Sequence, residues 1–477
     1  MLLRPAAPLK ILLGADYSDD RNGGRTLSSR GLGSDGDRRT SEIGYPQSFA
    51  RTMWGVSAHV DWTAAIGDFA SITAYRESQS ADDYSGVGTN WQFLTAGSQA
   101  VSRDLDHPGT FTEELRYASP KWDRFDFVAG VYYLNENAYR NLTTRAFAAR
   151  TGALVSHQVA NQQVESRSTA AYLDGVVHLV PALDLTLGGR HTVDHKDGSV
   201  VKGDAFVAAN RFALSGQSRR WSEFTPRAVL TWTARPRLKF YASATRGYTA
   251  GGFNADAATA AIFAKPFDPE TVKNYEAGMK STWLDDRLRV NVSVFREKYD
   301  SKQELYFDTV TRILTIVNAS KATMKGAEVE VRFTPVTGLN LTGAYGRLDA
   351  SYDSFVVPGV LNYTGNPLGS APKHKVSLGA DYEYRWNEVG FLSVTAAYSD
   401  TGSYYTGATK DPNLFVPRYA LVNASLSYQT LDRKWRISLW GRNLGDTEYL
   451  LTPSTQVVLS EYLGDPRTYG VSVGVRF

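Results

Sequence analysis

Apolar and polar side chains alternate along most of this chain with a period of two. Residues 467–477 show the pattern plainly, because small or polar residues separate five apolar ones. The apolar row consists of Tyr469, Val471, Val473, Val475 and Phe477. Successive side chains of a strand point to opposite faces, so this stretch predicts a β-strand with one apolar face.

The same alternation defines 18 predicted strands, and no comparable stretch shows the 3.6-residue period of a helix. The chain is therefore predicted to be all-β. The predicted strands begin near residues 9, 49, 70, 111, 125, 165, 183, 219, 238, 271, 288, 322, 339, 373, 390, 420, 435 and 467.

The connections between these strands alternate between short and long. The short ones include 180–182, 233–237, 284–287, 334–338 and 429–434. The long ones span roughly 20–48, 85–110, 144–164, 198–218, 253–270, 303–321, 353–372, 405–419 and 450–466. Tight turns at one end and long loops at the other predict an antiparallel up-and-down meander, the layout of a transmembrane β-barrel of the outer membrane. A soluble propeller fits less well, because no blade-length repeat is present.

Tryptophan positions give a second indication of a membrane barrel. Six of the ten tryptophans lie beside a short turn, and therefore at one level along the strands. They are Trp62, Trp122, Trp232, Trp283, Trp386 and Trp435. A ring of aromatic residues at one level is typical of a membrane–water interface, so we expect these six to form an interfacial girdle.

Composition narrows the possible classes of protein. The 477 residues include no cysteine, which excludes disulfides and thiolate metal sites. The net charge of +3 is nearly balanced, so we expect no nucleic-acid partner. Mean hydropathy is −0.32 and no apolar run approaches 18 residues, which argues against a transmembrane helix but not against a barrel of half-apolar strands.

No group of residues predicts catalysis, a metal site or a cofactor. The segment GLGSDG at 31–36 fits a phosphate-binding glycine pattern, but it lies in a predicted loop with no helix after it. His191 and His195 share a strand face at roughly 13 Å, too far apart for one metal ion, and are expected to be polar residues of the lumen. The chain is therefore not expected to be an enzyme.

Several motifs together resemble the TonB-dependent receptors of Gram-negative bacteria. The motifs are FTEELRYASPKWDRFDFVAGVYY (111–133), YASATRGYTAGGFN (241–254), FDPETVKNYEAGMKS (267–281), NASKATMKGAEVEV (318–331), APKHKVSLGADYEY (371–384), GRNLGDTEYL (441–450) and the final RTYGVSVGVRF. They follow the order of the family and cover most of the chain. The resemblance implies a barrel of 22 strands in the outer membrane.

The resemblance also defines what this sequence lacks. Family members carry a signal peptide, a TonB-contacting segment and a plug domain before the barrel, and none of these is recognisable here. The 18 predicted strands would be strands 5 to 22 of the family's barrel. We therefore interpret residues 1–477 as one barrel domain that is truncated at its N-terminus, and we expect its first strand to lack its hairpin partner.

The resemblance implies active uptake of a scarce ligand, most often an iron–siderophore complex, with energy from TonB acting through the missing plug. The outer-membrane lipid and the barrel-assembly machinery are the other expected partners. The machinery would recognise the C-terminal strand that ends at Phe477.

The predicted lumen wall is polar and charged. By alternation it includes Lys239, Tyr241, Ser243, Glu328, Glu330, Arg332, Lys375, Asp381, Glu383 and Arg385. Aromatic rings and guanidinium groups near the loops suit a flat, anionic ferric chelate. The ligand-binding candidates on this basis are Arg246, Tyr248, Phe253, Tyr404 and Tyr405.

Two other classes of protein remain open at this point. An 18-stranded diffusion porin, passive or sugar-selective, would also have an even number of strands and could close on itself. A soluble β-rich binding protein is the third possibility. Neither accounts for the ordered set of receptor motifs.

Overall fold

The computed structural model describes residues 1–24, 27–29, 39, 43–86, 89–94, 97–254, 257, 259–308, 313–357, 361–454 and 459–476. Strand is the dominant structure in these ranges. No helix in the described part of the chain is long and apolar enough to cross a membrane.

The first strands of the chain are β1 (Leu2–Ala6), β2 (Leu9–Asn22), β3 (Ser28–Ser29), β4 (Ser48–Ala64), β5 (Gly67–Ser85), β6 (Ser98–Ala118), β7 (Phe125–Ala148), β8 (Leu154–Val180), β9 (Leu183–Asp204), β10 (Phe212–Arg235), β11 (Leu238–Thr249) and β12 (Glu270–Trp283). The remaining strands are β13 (Leu288–Asp308), β14 (Ile313–Phe333), β15 (Leu339–Val357), β16 (Leu361–Asn362), β17 (His374–Trp386), β18 (Gly390–Thr401), β19 (Tyr404–Tyr405), β20 (Phe415–Val416), β21 (Tyr419–Thr430), β22 (Trp435–Arg442), β23 (Leu450–Ser454), β24 (Ser460–Leu463) and β25 (Thr468–Val475). Between strands lie the helix α1 (Ala260–Ala264) and the 3₁₀ turns Trp91–Phe93, Ala208–Asn210 and Pro412–Leu414.

The main sheet is an antiparallel up-and-down meander. It contains 20 strands, of which β16 pairs only with the upper end of β15. Each of the others pairs with the next long strand along the chain, from β1 to β25. The prediction of an all-β up-and-down sheet is confirmed, and each of the 18 predicted strands has its counterpart.

The sequence prediction was wrong about the start of the chain. Residues 2–6 form β1, which pairs with β2 through Leu2 opposite Leu12 and Ala6 opposite Leu9. The two-residue connection between them is a further short turn in the alternation of short turns and long loops. The predicted first strand therefore does have a hairpin partner, although a short one. Its alternation was hidden because Arg4 and Pro5 interrupt the apolar pattern over only five residues.

Several predicted long loops are in fact strand. The β7–β8 hairpin keeps its register up to Ala146 opposite Ser156, so the predicted loop 144–164 shrinks to the turn 149–153. Most of the predicted loops 85–110, 198–218 and 303–321 likewise belongs to paired strands. A strand needs only about 9–11 residues to cross a bilayer, so these hairpins extend well beyond it. Outside the bilayer both faces meet water, and the alternation that guided the prediction fades.

The two faces of the sheet differ as the alternation predicts. In β13 and β14, Val292 stands opposite Val329 on the outer face. The neighbouring pair, Asn291 opposite Glu330, lines a cavity of about 550 Å³ on the lumen face. Outward apolar side chains such as Val294 and Leu378 are about half exposed, each at 52%. His191 shares the outer face with Phe224, its partner on β10, so the expectation that it faces the lumen was wrong.

The first and last strands leave the sheet open. Within the described ranges, no backbone pairing joins β25 to β1 or β2. The two ends do meet through their loops, because Ser28–Ser29 (β3) pairs with Ser460 and Glu461 of β24. Arg39 also donates a hydrogen bond to the carbonyl oxygen of Gly464 at 3.0 Å. The sheet therefore curves into a barrel-like wall with an unpaired seam.

Candidate ligand-binding site

A large concave surface of the described residues lies at the long-loop end of β13–β15. One cavity of about 700 Å³ opens into the lumen, and a second of about 590 Å³ lies above it. Both cavities are bordered by Lys302, Leu368 and Gly369. We refer to the two together as the vestibule.

A β-bulge brings Lys302 into the vestibule. Tyr299 pairs with Ala322, but Lys302 pairs with Ser320, so the register shifts by one residue between them. Ser301 adopts a left-handed backbone with φ of 52° at this point. A bulge re-aims the side chains that follow it, so Lys302 faces the interior where strict alternation would turn it outward.

Lys302 is held by an acidic partner within the vestibule. Its ammonium group lies 2.7 Å from a carboxylate oxygen of Glu304, and both side chains are about four-fifths buried. The ammonium group also lies 6.0 Å from the ring centre of Tyr299. Both observations leave a partly desolvated cation on the wall of a cavity, where its interaction with an anion is strong.

Two tyrosines complete this wall. Tyr352 is 2% exposed and packs with Phe355 and Leu368. Burial and the Glu304 carboxylate raise the pKa of the Tyr352 phenol. Burial also raises the pKa of Tyr363. Both phenols therefore remain protonated and act as hydrogen-bond donors, while their rings supply apolar surface.

Arg246 and Tyr248 lie elsewhere on the rim, near the end of β11. Arg246 forms an ion pair with Glu223 at 2.9 Å. The Tyr248 hydroxyl donates a hydrogen bond to Asp194 at 2.8 Å. Glu223 and Asp194 belong to β10 and β9, so these contacts tie the end of β11 to its neighbouring strands.

Phe253 is a packing residue. It is 9% exposed and clusters with Val200, Ala257 and Phe263. Its ring stacks on that of Phe263 with 5.4 Å between centres, and a side chain at Gly198 would meet it at 2.8 Å. The ring therefore anchors loop 250–269 against β9, and this arrangement leaves it little surface for a ligand.

Tyr404 and Tyr405 form β19 in the loop that borders the upper cavity. They pair with Val416 and Phe415 of β20, and the Tyr405 ring lies 5.1 Å from that of Phe415. Burial raises the pKa of Tyr404. The next residue in the chain, Thr406, lines the cavity itself. Among the described residues, no hydrogen bond, ion pair or ring contact joins these tyrosines to Arg246, Tyr248 or Phe253, so the five sequence candidates fall into two separate groups.

Lys302, Tyr352 and Tyr363 were not among the sequence candidates. Alternation places Lys302 on the outer face, and the bulge that reverses it depends on tertiary pairing. A run of polar residues within a strand-like stretch, such as 300–304, was the only available signal.

The six tryptophans lie at the short-turn end and are between 43% and 54% exposed. Trp62 stacks on Phe69 at 5.1 Å, and Trp232 stacks on Phe240 at 5.5 Å. In β25, Tyr469, Val471, Val473 and Val475 share the outer face, and Tyr469 is 79% exposed. Phe477 lies outside the described residues, as does the segment 31–36.

Asp204 organises one loop at the far end of the β9–β10 hairpin. It accepts hydrogen bonds from the backbone amides of Phe206 and Val207, at 2.8 and 2.9 Å, and from the side chains of Asn210 and Gln158. Burial alone would raise the pKa of Asp204, but these hydrogen bonds outweigh it and lower the pKa to about 2.

We expect this loop to loosen in acid. Because its pKa is lowered in the folded state, the Asp204 carboxylate stabilises the fold fully at pH values above its ordinary pKa of 3.8. This contribution, about 1–2 kcal/mol, is lost as the pH falls from 3.8 towards 2. Hydrogen exchange of the Phe206 and Val207 amides, corrected for intrinsic rates, should show protection falling in that window. In Asp204→Asn the protection should be low at every pH. Unchanged protection down to pH 2 would contradict the assignment.

An open-ended antiparallel wall with a polar lumen, outward apolar rows and extended hairpins at one end defines the class of outer-membrane receptor barrels. A family model described as TonB dependent receptor-like, beta-barrel matches residues 8–444. The chain therefore belongs to the TonB-dependent receptor family, whose members reside in the outer membrane of Gram-negative bacteria.

Individual relatives agree with this assignment. The pesticin receptor of Yersinia pestis is 26% identical over 409 residues, which cover 84% of this chain and 54% of that protein. The metal-pseudopaline receptor CntO of Pseudomonas aeruginosa is 26% identical over 267 residues, covering 56% of this chain and 35% of that protein. The chain thus spans about half the length, or less, of these curated relatives.

Solved structures show the same fold. The ferric yersiniabactin uptake receptor FyuA from Yersinia pestis superposes with a TM-score of 0.82 at 19% identity, over 98% of this chain and 68% of that one. The siderophore receptor PiuA from Acinetobacter baumannii gives a TM-score of 0.78 at 15% identity, over 98% and 71%.

Proposed function

We propose that this chain is the barrel of an outer-membrane receptor that takes up a ferric siderophore. The vestibule carries this proposal, because it combines a partly desolvated cation, Lys302, with the protonated phenols of Tyr352 and Tyr363. Such a site suits an anionic chelate with planar groups. The relatives support this substrate class, since one is a ferric yersiniabactin uptake receptor and another is a ferrichrome transporter.

Binding of defined chelates to the chain folded in detergent tests this site. The panel of probes is ferric yersiniabactin, ferrichrome and ferric citrate, measured by intrinsic fluorescence quenching. Lys302→Gln should weaken binding of ferric citrate, an anionic probe, about tenfold or more, because the substitution removes a charge-assisted contact. Lys280→Gln, on an exposed part of the lumen wall, should bind as the wild type does. Absence of binding by every probe, or equal affinities for both variants, would contradict the proposal.

The uptake cycle itself is proposed for the whole receptor. TonB would supply energy through the plug domain of that whole receptor. Within the described residues, β1 and β25 each have one unpaired edge, and β2 is unpaired on the same side beyond the end of β1. These edges support a further proposal, that additional strands complete the barrel, because each unpaired backbone group in lipid costs several kcal/mol. A steady conductance in planar bilayers, with a fully paired seam, would contradict it and favour the porin.

The proposal also assigns roles to the two ends of the barrel. The girdle tryptophans would lie at the periplasmic interface, and the outward row of β25 would be the surface offered to the barrel-assembly machinery and then to lipid. The long hairpins would face the outside.

Protease accessibility tests this orientation. Trypsin added to intact cells that display the receptor should cut at Arg150, an exposed residue in the turn 149–153 of the long β7–β8 hairpin. Arg287, in the short turn 284–287, should be cut only after the outer membrane is opened. Peptide mapping by mass spectrometry distinguishes the two sites. The reverse pattern of cleavage would show that the barrel has the opposite orientation in the membrane.

A further inference from the structure

A further cavity lies on the lumen wall below the vestibule, towards the short turns. It has a volume of about 550 Å³, and we call it the lower bay. It shares Glu330, Ala344 and Ser377 with the lower cavity of the vestibule. The vestibule and the lower bay therefore form one continuous groove along the inner face of the wall.

One cross-strand row of the lumen face forms the lower bay. By register the row runs from Arg289 on β13 through Arg332, Thr342, Gly379 and Ala397 to Asn423 on β21. Gly379 and Ala397 have little or no side chain, so the middle of the row is low, while longer side chains project into the lumen at its two ends. A side chain at Gly379 would meet the Thr342 hydroxyl at 2.5 Å. The concave shape thus follows from the order of large and small residues in the row.

Two arginines without an acidic partner stand at one end of this row. Arg289 and Arg332 pair directly across β13 and β14. Like charges in directly opposed positions destabilise a sheet. In the described part of the chain, neither guanidinium group forms an ion pair with an acid. Among the described residues that line the bay, Glu330 is the only acid, and it accepts a hydrogen bond from Asn291 at 3.4 Å. An anion supplied from outside the chain would relieve the remaining positive charge.

The rest of the lining supplies neutral hydrogen-bond donors. Thr342, Ser377 and Ser399 contribute hydroxyl groups to the bay. The side-chain oxygen of Asn423 accepts a hydrogen bond from the backbone amide of Asn443 at 2.9 Å, which leaves its NH₂ group to donate. Arginine presents its N–H groups in a planar fork that matches a carboxylate. The lower bay therefore combines the groups that recognise an anion with several carboxylate oxygens.

We propose that the lower bay is a second binding site for an anionic carboxylate chelate, below the vestibule on the path through the lumen. This inference rests on the proposed function, because it concerns the same transported ligand. Arg289 precedes Lys302 by 13 positions on β13 (302 − 289 = 13), which corresponds to roughly 40 Å of strand. One chelate cannot contact both cations at that separation. A ligand that leaves the vestibule along the groove would next meet the arginine pair.

Two fluorescent reporters can follow the two sites separately. The chain has no cysteine, so a single introduced cysteine can carry a fluorophore that bound ferric iron quenches. Ser425→Cys lies two positions from Asn423 on the lumen face of β21 and reports the lower bay. Thr409→Cys borders the upper cavity of the vestibule. With ferric citrate as the probe and the chain folded in detergent, both reporters should be quenched to saturation.

Removing the two arginines should affect only the lower reporter. In the double variant Arg289→Gln, Arg332→Gln, the half-saturating concentration at the Ser425 reporter should rise about 100-fold, because each charge-assisted contact contributes about tenfold to binding. The half-saturating concentration at the Thr409 reporter should stay as in the wild type. Unsaturable quenching at the Ser425 reporter in the wild type would overturn the proposal.

The lumen wall offers a matched control one hairpin away. Lys239 and Lys280 are also directly opposed like charges on the lumen face, across β11 and β12. Neither is among the described residues that line the lower bay or the vestibule. The double variant Lys239→Gln, Lys280→Gln should leave both reporters unchanged. Equal loss at the Ser425 reporter in the two double variants would show that only the general charge of the wall matters, and would overturn the site.

The same reporters distinguish failure of the lower bay from failure of the proposed function. Lys302→Gln should weaken quenching of the Thr409 reporter and leave the Ser425 reporter unchanged. A Thr409 reporter that never responds, beside a Ser425 reporter that does, would contradict the vestibule and support the lower bay. The opposite result would overturn the lower bay alone.

Two other probes test the chemistry of recognition. Ferrichrome, in which three hydroxamate groups neutralise the ferric ion, should quench the Ser425 reporter only weakly and equally in the wild type and the arginine variant. Binding of ferrichrome as tight as that of ferric citrate would contradict recognition of an anion. Inorganic phosphate should compete only weakly with ferric citrate, and complete displacement at an equal concentration would favour a site for small free anions instead.

A second variant keeps both arginines and guards against a folding defect. Thr342 stands directly opposite Arg332 across β14 and β15. Thr342→Glu should weaken ferric citrate at the Ser425 reporter about tenfold, because an opposite charge in that position pairs with the guanidinium group. Heat-modifiable mobility on a gel should show both this variant and the arginine variant folded, since each reduces the repulsion between β13 and β14. Unchanged binding in folded Thr342→Glu would overturn the role of the arginine pair.

Discussion

Replacing Val292 by arginine is expected to destabilise the barrel by about 2–4 kcal/mol. Val292 lies on the outer face of β13, four positions after Leu288, the first residue of the strand, with Met279 and Val329 as its cross-strand neighbours. This height is close to the middle of the apolar band, where a guanidinium group has no partner and little access to water. Urea titration of the protein folded into lipid vesicles measures the loss directly.

The control lies one residue away. Asn291 faces the lumen opposite Glu330, and its side-chain amide donates a hydrogen bond to that carboxylate at 3.4 Å. Asn291→Arg places its charge in a polar wall next to an acid, so its cost should be much smaller. Equal destabilisation by the two substitutions would show that the assignment of outer and lumen faces is wrong.

Phe253→Ala is expected to lower the local stability of loop 250–269 by about 3–5 kcal/mol, the usual cost of removing a buried phenylalanine ring. The ring is stacked on Phe263 and packed against Val200 and Gly198. Two backbone hydrogen bonds between Gly252 and Phe267, at 3.1 and 2.9 Å, hold the same loop. Hydrogen exchange of these two amides should accelerate strongly in the variant.

Phe206→Ala is the matched control, because Phe206 is 51% exposed on a nearby loop and should leave the exchange of both amides unchanged. The pair of variants also shows whether the Phe253 side chain acts by packing in the loop or by contacting the ligand. Normal exchange in Phe253→Ala combined with weaker chelate binding would return Phe253 to the group of ligand-binding residues.

Membership in the receptor family explains why so much of the wall was predictable. A strand in a membrane barrel meets lipid on one side and a polar lumen on the other, and that contrast repeats at every second residue. Rows such as Val290, Val292 and Val294 therefore indicate both the strand and its orientation. Short turns beside tryptophans then give the order and direction of the hairpins.

The same reasoning explains the errors. Above the bilayer both faces of β7 and β8 meet water, so nothing in the sequence distinguishes a paired hairpin from a loop. β1 was missed because five residues with Pro5 among them are too few to show a period. Its pairing depends on β2, which supplies the partner groups.

The local features of this protein can be derived from its amino-acid sequence alone. The number and direction of the long strands, the outward row of β25 and the level of the tryptophans all follow from a period of two, which is set by each residue's own backbone geometry. The absence of cysteine and the near-balanced charge likewise follow from the residues alone.

Features that depend on contacts between residues far apart in the sequence arise only in the folded chain. The register shift at Ser301 turns Lys302 into the vestibule, the packing of loop 250–269 buries Phe253, and strand pairing sets Lys273 against Lys298. None of these can be read from alternation, because a shift of one residue between strands exchanges the two faces. The register itself is chosen by the summed packing and hydrogen bonding of neighbouring strands, which lie far apart in the sequence.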